Sequence, residues 1–171
     1  MKLLKSFTFS LLAVSYISAV DLPILKTGIT TSEISGDDGD YQAGKSRSYT
    51  RDDNLEVVID NSTGLMWQDN SDAKEIKKDW QGAIDYCEDL TFASFSDWRL
   101  PTRMELKSIV DYGRYNPAID STFQNIQSSY YWSSSRNVSN TDSAWLVDFY
   151  DGNGNWGHKS GSNYVRCVRT N

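Results

Sequence analysis

Only two cysteines occur in the 171 residues, Cys87 and Cys167, and their positions constrain the fold more than any other feature. Cys87 lies in "DWQGAIDYCEDL", where Trp80, Ala83, Ile84, Cys87 and Leu90 recur at the spacing of one helical stripe. Asp79 stands where an N-cap would. Cys167 lies in the closing "YVRCVRT", which reads as a strand with Val165, Cys167 and Arg169 on one face and Tyr164, Arg166 and Val168 on the other. A core-facing helix position and a core-facing terminal strand can meet. In an oxidising compartment an even pair of cysteines reads first as a disulfide. A metal site is the weaker reading, because two cysteines and the distant His158 lack ligand spacing.

The chain's start argues for that compartment. Lys2 and Lys5 precede a short apolar run, Phe7 to Ile17, and Ala19 supplies a small residue for cleavage. Residues 1–19 therefore read as a secretory signal peptide, too short for a membrane span. No cysteine follows that could carry a lipid anchor, so the expectation is a periplasmic or secreted chain without a membrane span. Without residues 1–19 the formal charge moves from −6 to −8, since two lysines and no acids are lost. Residues 20–96 carry 7 basic and 16 acidic side chains, against 8 and 7 in residues 97–171. That balance argues against a nucleic-acid partner.

Residues 20–54, with stretches such as "SGDDGDYQAG", read as a polar linker or a loosely attached N-terminal arm. The rest, residues 55–171, reads as one domain. Leu55, Val57 and Ile59 alternate with polar partners, residues 61–64 supply a turn, and Leu65-Met66-Trp67 resumes, giving strand, turn and strand. "YYWSSS" and "SAWLVDFY" are strand-like, and "DGNGN" is a turn leading to the last strand. Helices first and antiparallel strands after make an α+β fold.

"DWRLPTRMEL", residues 97–106, looks catalytic but reads better as a joint. Thr102 and Glu105 have capping-box spacing, Pro101 keeps Leu100 extended, and Leu106, Ile109 and Val110 continue a helix towards Gly113. Asp97 and Arg99 suit a local ion pair.

"TGLMWQ", "W-x-x-A-x-x-Y-C-x-x-L", "DWRLPT-x-x-E-L", "YYWSSS", "AWLVDF" and "YVRCVR" occur in that order. Together they resemble a bacterial domain of unknown function found at the C-terminus of Legionella collagen-like proteins, the Lcl C-terminal family. The resemblance implies a fold like that of C-type lectins and formylglycine-generating enzymes: two helices beside small twisted antiparallel sheets, with one long-range disulfide.

Formylglycine-generating enzymes use an additional cysteine pair, and this chain has none to spare. His158, in "GNWGHKSGSN", reads as a surface residue. The carboxylate–amide–proline signature of calcium-dependent sugar binding is missing; "YNPAID" has its proline after the asparagine. Asp148, Asp151, Asn153 and Asn155 partly resemble a calcium loop but lack the closing glutamate, so a hairpin turn is preferred and no cofactor is required. Trp67, Trp80, Trp98 and Trp145 are expected in the core. Trp132 and Trp156 flank polar loops. With Arg114, Arg136 and Lys159 they make the candidate binding surface, Trp132 being equally suited to the core. The expected function is an exported, non-catalytic, lectin-like module recognising a glycan or a cell-surface protein. The alternative is a periplasmic enzyme on the formylglycine-generating template.

Overall fold

The computed structural model of the protein describes residues 22–171; the signal-peptide reading of residues 1–19 lies outside the described residues. The strand–turn–strand motif is β2 (Val57–Asp60) and β3 (Leu65–Gln68), joined by a turn in which the Gly64 N–H donates to Asp60 O at 2.8 Å. Gly64 takes a φ of 73°, the left-handed region open to a residue without a Cβ. β1 (Tyr49–Asp52) and β9 (Val168–Thr170) complete an antiparallel sheet in the order β1-β2-β3-β9.

Simple alternation does not hold in β2. Val57 and Val58 are both fully buried, Val57 with Met66 on one side and Val58 with Leu65 and Trp67 on the other. The sheet is covered on both faces, so neighbouring apolar residues are both needed. Leu55, expected to point inward, is 39% exposed in the preceding turn.

A second sheet holds β4 (Lys77–Lys78), β8 (Asn163–Tyr164), β5 (Tyr130–Arg136), β6 (Ser143–Asp148) and β7 (Gly154–His158), in that order. Its pairs are antiparallel except β5 with β8. β7 corrects the sequence reading, which took this segment for a loop before the last strand. It is an edge strand with two glycines, and an edge tolerates residues of poor strand propensity.

α1 (Asp38–Tyr41) and α2 (Asp72–Glu75) are single turns. α3 (Trp80–Glu88) begins as expected, with the Asp79 carboxylate accepting from the Gly82 N–H at 2.8 Å. Cys87 and Cys167 are fully buried and joined in a disulfide that ties α3 to the terminal segment. The predicted alternation holds there: Val165 and Cys167 enter one apolar cluster, Tyr164 and Val168 the other. α4 (Arg103–Ser108) starts at the predicted capping box but stops short of Gly113. Beyond it Val110 pairs with Ile119 and the Asp111 N–H donates to Ala118 O at 3.0 Å, so the backbone turns to another partner.

The structure is α+β, with few helices, small sheets and one disulfide. Among the described residues no helix is long and apolar enough to cross a membrane. Of the stretch read as a polar linker or loosely attached arm, residues 22–54 are described: they supply β1 and contact the following domain. The Tyr49 ring meets Phe123 edge-on with centroids 5.2 Å apart. The Arg47 guanidinium donates to the carbonyls of Lys26, Ser108 and Val110. A single arginine thus satisfies carbonyls on both sides of the junction, something composition does not reveal.

Candidate functional site

Each charge in "DWRLPTRMEL" can now be placed. The Thr102 hydroxyl accepts from the Glu105 N–H at 3.2 Å, and the Glu105 carboxylate accepts from the Thr102 N–H at 2.7 Å. That carboxylate also takes two hydrogen bonds from Arg99, at 2.8 and 2.5 Å. Burial pushes the Glu105 carboxyl up, but the Arg99 and Thr102 donors outweigh it and hold the group below its ordinary value. Asp97 does not pair with Arg99. It receives Arg169 of β9 at 2.7 Å, a long-range partner rather than the expected local one.

Arg103 has no such structural partner. Its backbone N–H donates to Ser135 Oγ at 3.0 Å, which fixes the start of α4 against β5. Its guanidinium lies over the Trp145 ring, 4.1 Å from the centroid, a cation–π arrangement. No carboxylate among the described residues pairs with it, and its enclosed Nε has no hydrogen-bond partner. Trp145 on β6 is directly opposite Trp156 on β7. Directly opposed residues share a sheet face, and Trp156 is 53% exposed. A Cβ on Gly154 would stand 3.5 Å from Arg103, ordinary van der Waals contact, so the guanidinium lies directly beside the β7 backbone. One turn further along α4, Lys107 Nζ donates to Gly152 O at 2.8 Å and to the Tyr112 hydroxyl at 2.6 Å, steadying the β6–β7 turn. The result is a face with an unpaired cation, a half-covered indole and an open indole, carried on rigid strands.

Of the residues expected to bind, Trp156 is on this face. Arg136 is exposed and has no ion-pair partner among the described residues, but it sits level with Ala144 and Gly157, in a different row. Successive rows point to opposite faces of a sheet. Trp132 is fully buried, packs with Leu146 and Cys167, and donates its indole N–H to Lys78 O at 3.0 Å, which is the core placement of the two the sequence allowed. Arg114 pairs with Asp111 and Asp120. Lys159 donates to Thr141 O at 2.7 Å and covers the Trp80 ring. Trp67 and Trp98 are in the core; Trp80 and Trp145 are half-buried. Arg103 was missed because the capping-box reading explained its neighbours. The available signal was its position: it has no carboxylate three or four residues away in the chain.

The weak calcium candidates accept from nearby backbone N–H groups, Asp148 and Asp151 at the β6–β7 turn and Asn155 within β7. Asp148 accepts from the Tyr150 N–H at 2.9 Å, Asp151 from the Asn153 N–H at 2.9 Å, and Asn155 from the Trp156 N–H at 2.8 Å. Among the described residues no group of three or more His, Cys, Asp and Glu side chains could hold a metal ion. His158, exposed at the end of β7, has its Nδ1 3.0 Å from Ser160 Oγ.

No curated protein matches the chain in sequence. The model of the Lcl C-terminal domain matches residues 56–169, a span running from the start of β2 into β9 and containing both cysteines and the Arg103–Trp145–Trp156 face. The chain belongs to the Lcl C-terminal domain family.

Proposed function

We propose that this protein is an exported, non-catalytic binding module of C-type-lectin-like fold, and that its α4–β6–β7 face recognises a glycan. The observation that carries the reading is the pairing of an exposed Trp156 with a Trp145 that holds the unpaired Arg103 guanidinium 4.1 Å above its ring. An indole face is electron-rich and meets the apolar C–H face of a sugar ring, while a guanidinium donates to its hydroxyl or acidic groups. The buried disulfide supports export, because such bonds persist in oxidising compartments.

The competing reading is a periplasmic enzyme on the formylglycine-generating template. Thiol chemistry of that kind needs a thiolate, and both cysteines of the chain are in the bridge. That supports binding over catalysis, with a protein partner as the other ligand class. The test is an array of neutral and acidic glycans, run beside a thermal-shift screen with and without calcium. Binding to a defined glycan set is expected. An array on which the folded protein binds nothing overturns the glycan reading.

A further inference from the structure

Two surfaces outside the Arg103–Trp156 face remain uncovered, and they are opposite in charge. The first is the tip of the N-terminal arm. It exposes Ile34 at 72% and Tyr41 at 73% beside Glu33, Asp38 and Asp40. This tip is built, not loose. The Asp37 carboxylate accepts from the N–H groups of Glu33, Ile34 and Asp40 at 2.7, 3.1 and 2.9 Å. Those hydrogen bonds hold it at about 2, well below the usual carboxylate range. A Cβ on Gly39 would stand 2.2 Å from Thr31 O, so the two limbs of the tip are in backbone contact. At the base, Lys26 N–H donates to Lys45 O at 3.0 Å and Lys45 N–H to Ile24 O at 2.9 Å. Two large apolar side chains are therefore held in water by an ordered frame, the pattern of a contact surface.

The second is a cleft of about 330 Å³ between residues 22–27 and α4. Its apolar rim exposes Ile24 at 85%, Met104 at 65% and Tyr112 at 40%. Lys26 and Lys107 also line it, and neither is ion-paired among the described residues. Within one chain neither surface covers the other, since both stay exposed.

We propose that the acidic tip carrying Ile34 and Tyr41 docks into the Ile24–Met104 cleft of a second copy of this chain. The contact is head to tail: each copy offers a knob and a cleft, and the two differ. Apolar groups meet apolar groups, and the carboxylates meet Lys26, with Lys107, already held by Gly152 O and the Tyr112 hydroxyl, adding positive charge beside it. Repetition of such a contact closes a ring or continues a filament. A tip this small buries less than a standard interface, so the association is weak and seen only at high concentration. The knob precedes the residues of the family domain, and neither Arg103 nor Trp156 lines the cleft, so either reading can fail alone.

The test is sedimentation velocity over a concentration series, using the parent, Ile34→Asp and Met104→Asp. Both sites are exposed, and near-ultraviolet circular dichroism checks each fold; Tyr41→Asp is a second knob variant. The parent's sedimentation coefficient should rise with concentration beyond that of a dimer. Each variant alone should stay monomeric, because every contact needs one intact knob and one intact cleft. An equal mixture of Ile34→Asp and Met104→Asp should form dimers and stop there, since one intact half survives on each chain. A parent that is monomeric throughout, a variant that assembles like the parent, or a mixture that stays monomeric overturns the proposal.

Discussion

Arg166 and Asp69, 97 positions apart, meet at 2.8 Å with neither side chain exposed. Arg166 also donates to Gln68 O at 2.7 Å and to Asn125 O, and Asp69 accepts from the N–H groups of Gln124 and Asn125. The pair fastens the loop after Phe123 to the end of β3. Asp69 also pairs with Arg51, so Asp69→Asn, which leaves the buried Arg166 without a counter-charge, should cost about 3–5 kcal/mol in urea unfolding, and Arg166→Met less, because Arg51 still faces the carboxylate. The double change Asp69→Leu with Arg166→Met should recover much of that loss. Single variants as stable as the parent would show that the pair is not a closed network.

Glu105→Gln should cost about 1–3 kcal/mol, because Arg99 and the α4 N-cap both lose a charged acceptor. The lowered carboxyl value sets the pH dependence. The folded chain binds this proton less readily than the unfolded chain, so the contribution is complete above about pH 4.5, the ordinary value. It drains away as pH falls through the lowered folded value. Thermal unfolding between neutral and acid pH should therefore show the two proteins converging at low pH. A gap that widens on acidification would contradict the assignment.

The Cys87–Cys167 bridge spans 80 residues and is inaccessible. Opening it by a double change to alanine should cost about 4.5 kcal/mol in the chain-entropy account. A thiol reductant should reach it only through unfolding, so the reduction rate should follow the unfolding rate across a urea series. Rapid reduction under native conditions would mean that α3 and the terminal segment separate easily.

What the chain reveals by itself depends on the range of the interaction. The Asp79 cap, the Thr102–Glu105 box, the turn before β3 and the alternation from Tyr164 to Arg169 are encoded within a few residues, and all are legible. The disulfide is legible because two cysteines leave one pairing. The Arg166–Asp69, Arg169–Asp97 and Arg47–carbonyl contacts join distant positions, and no periodicity signals which charge finds which. β7 was hidden because Gly154, Asn155 and Gly157 suggest a loop; its pairing to β6 makes it a strand. The site was half legible. Trp156 showed itself as an aromatic among polar residues, whereas Trp132, in equally polar company, is core because β5 lies at the centre of its sheet.

The glycan reading stands on Arg103 and Trp156. Trp156 is exposed and Arg103 has no carboxylate partner, so replacing both with alanine should leave the melting temperature within a few degrees of the parent. The most direct measurement is calorimetric titration of the strongest array glycan into the parent and into the Arg103→Ala, Trp156→Ala double variant. Loss of an aromatic and an arginine anchor together should weaken binding at least about tenfold. A folded double variant that binds the glycan as tightly as the parent would contradict the account and move the site off the α4–β6–β7 face.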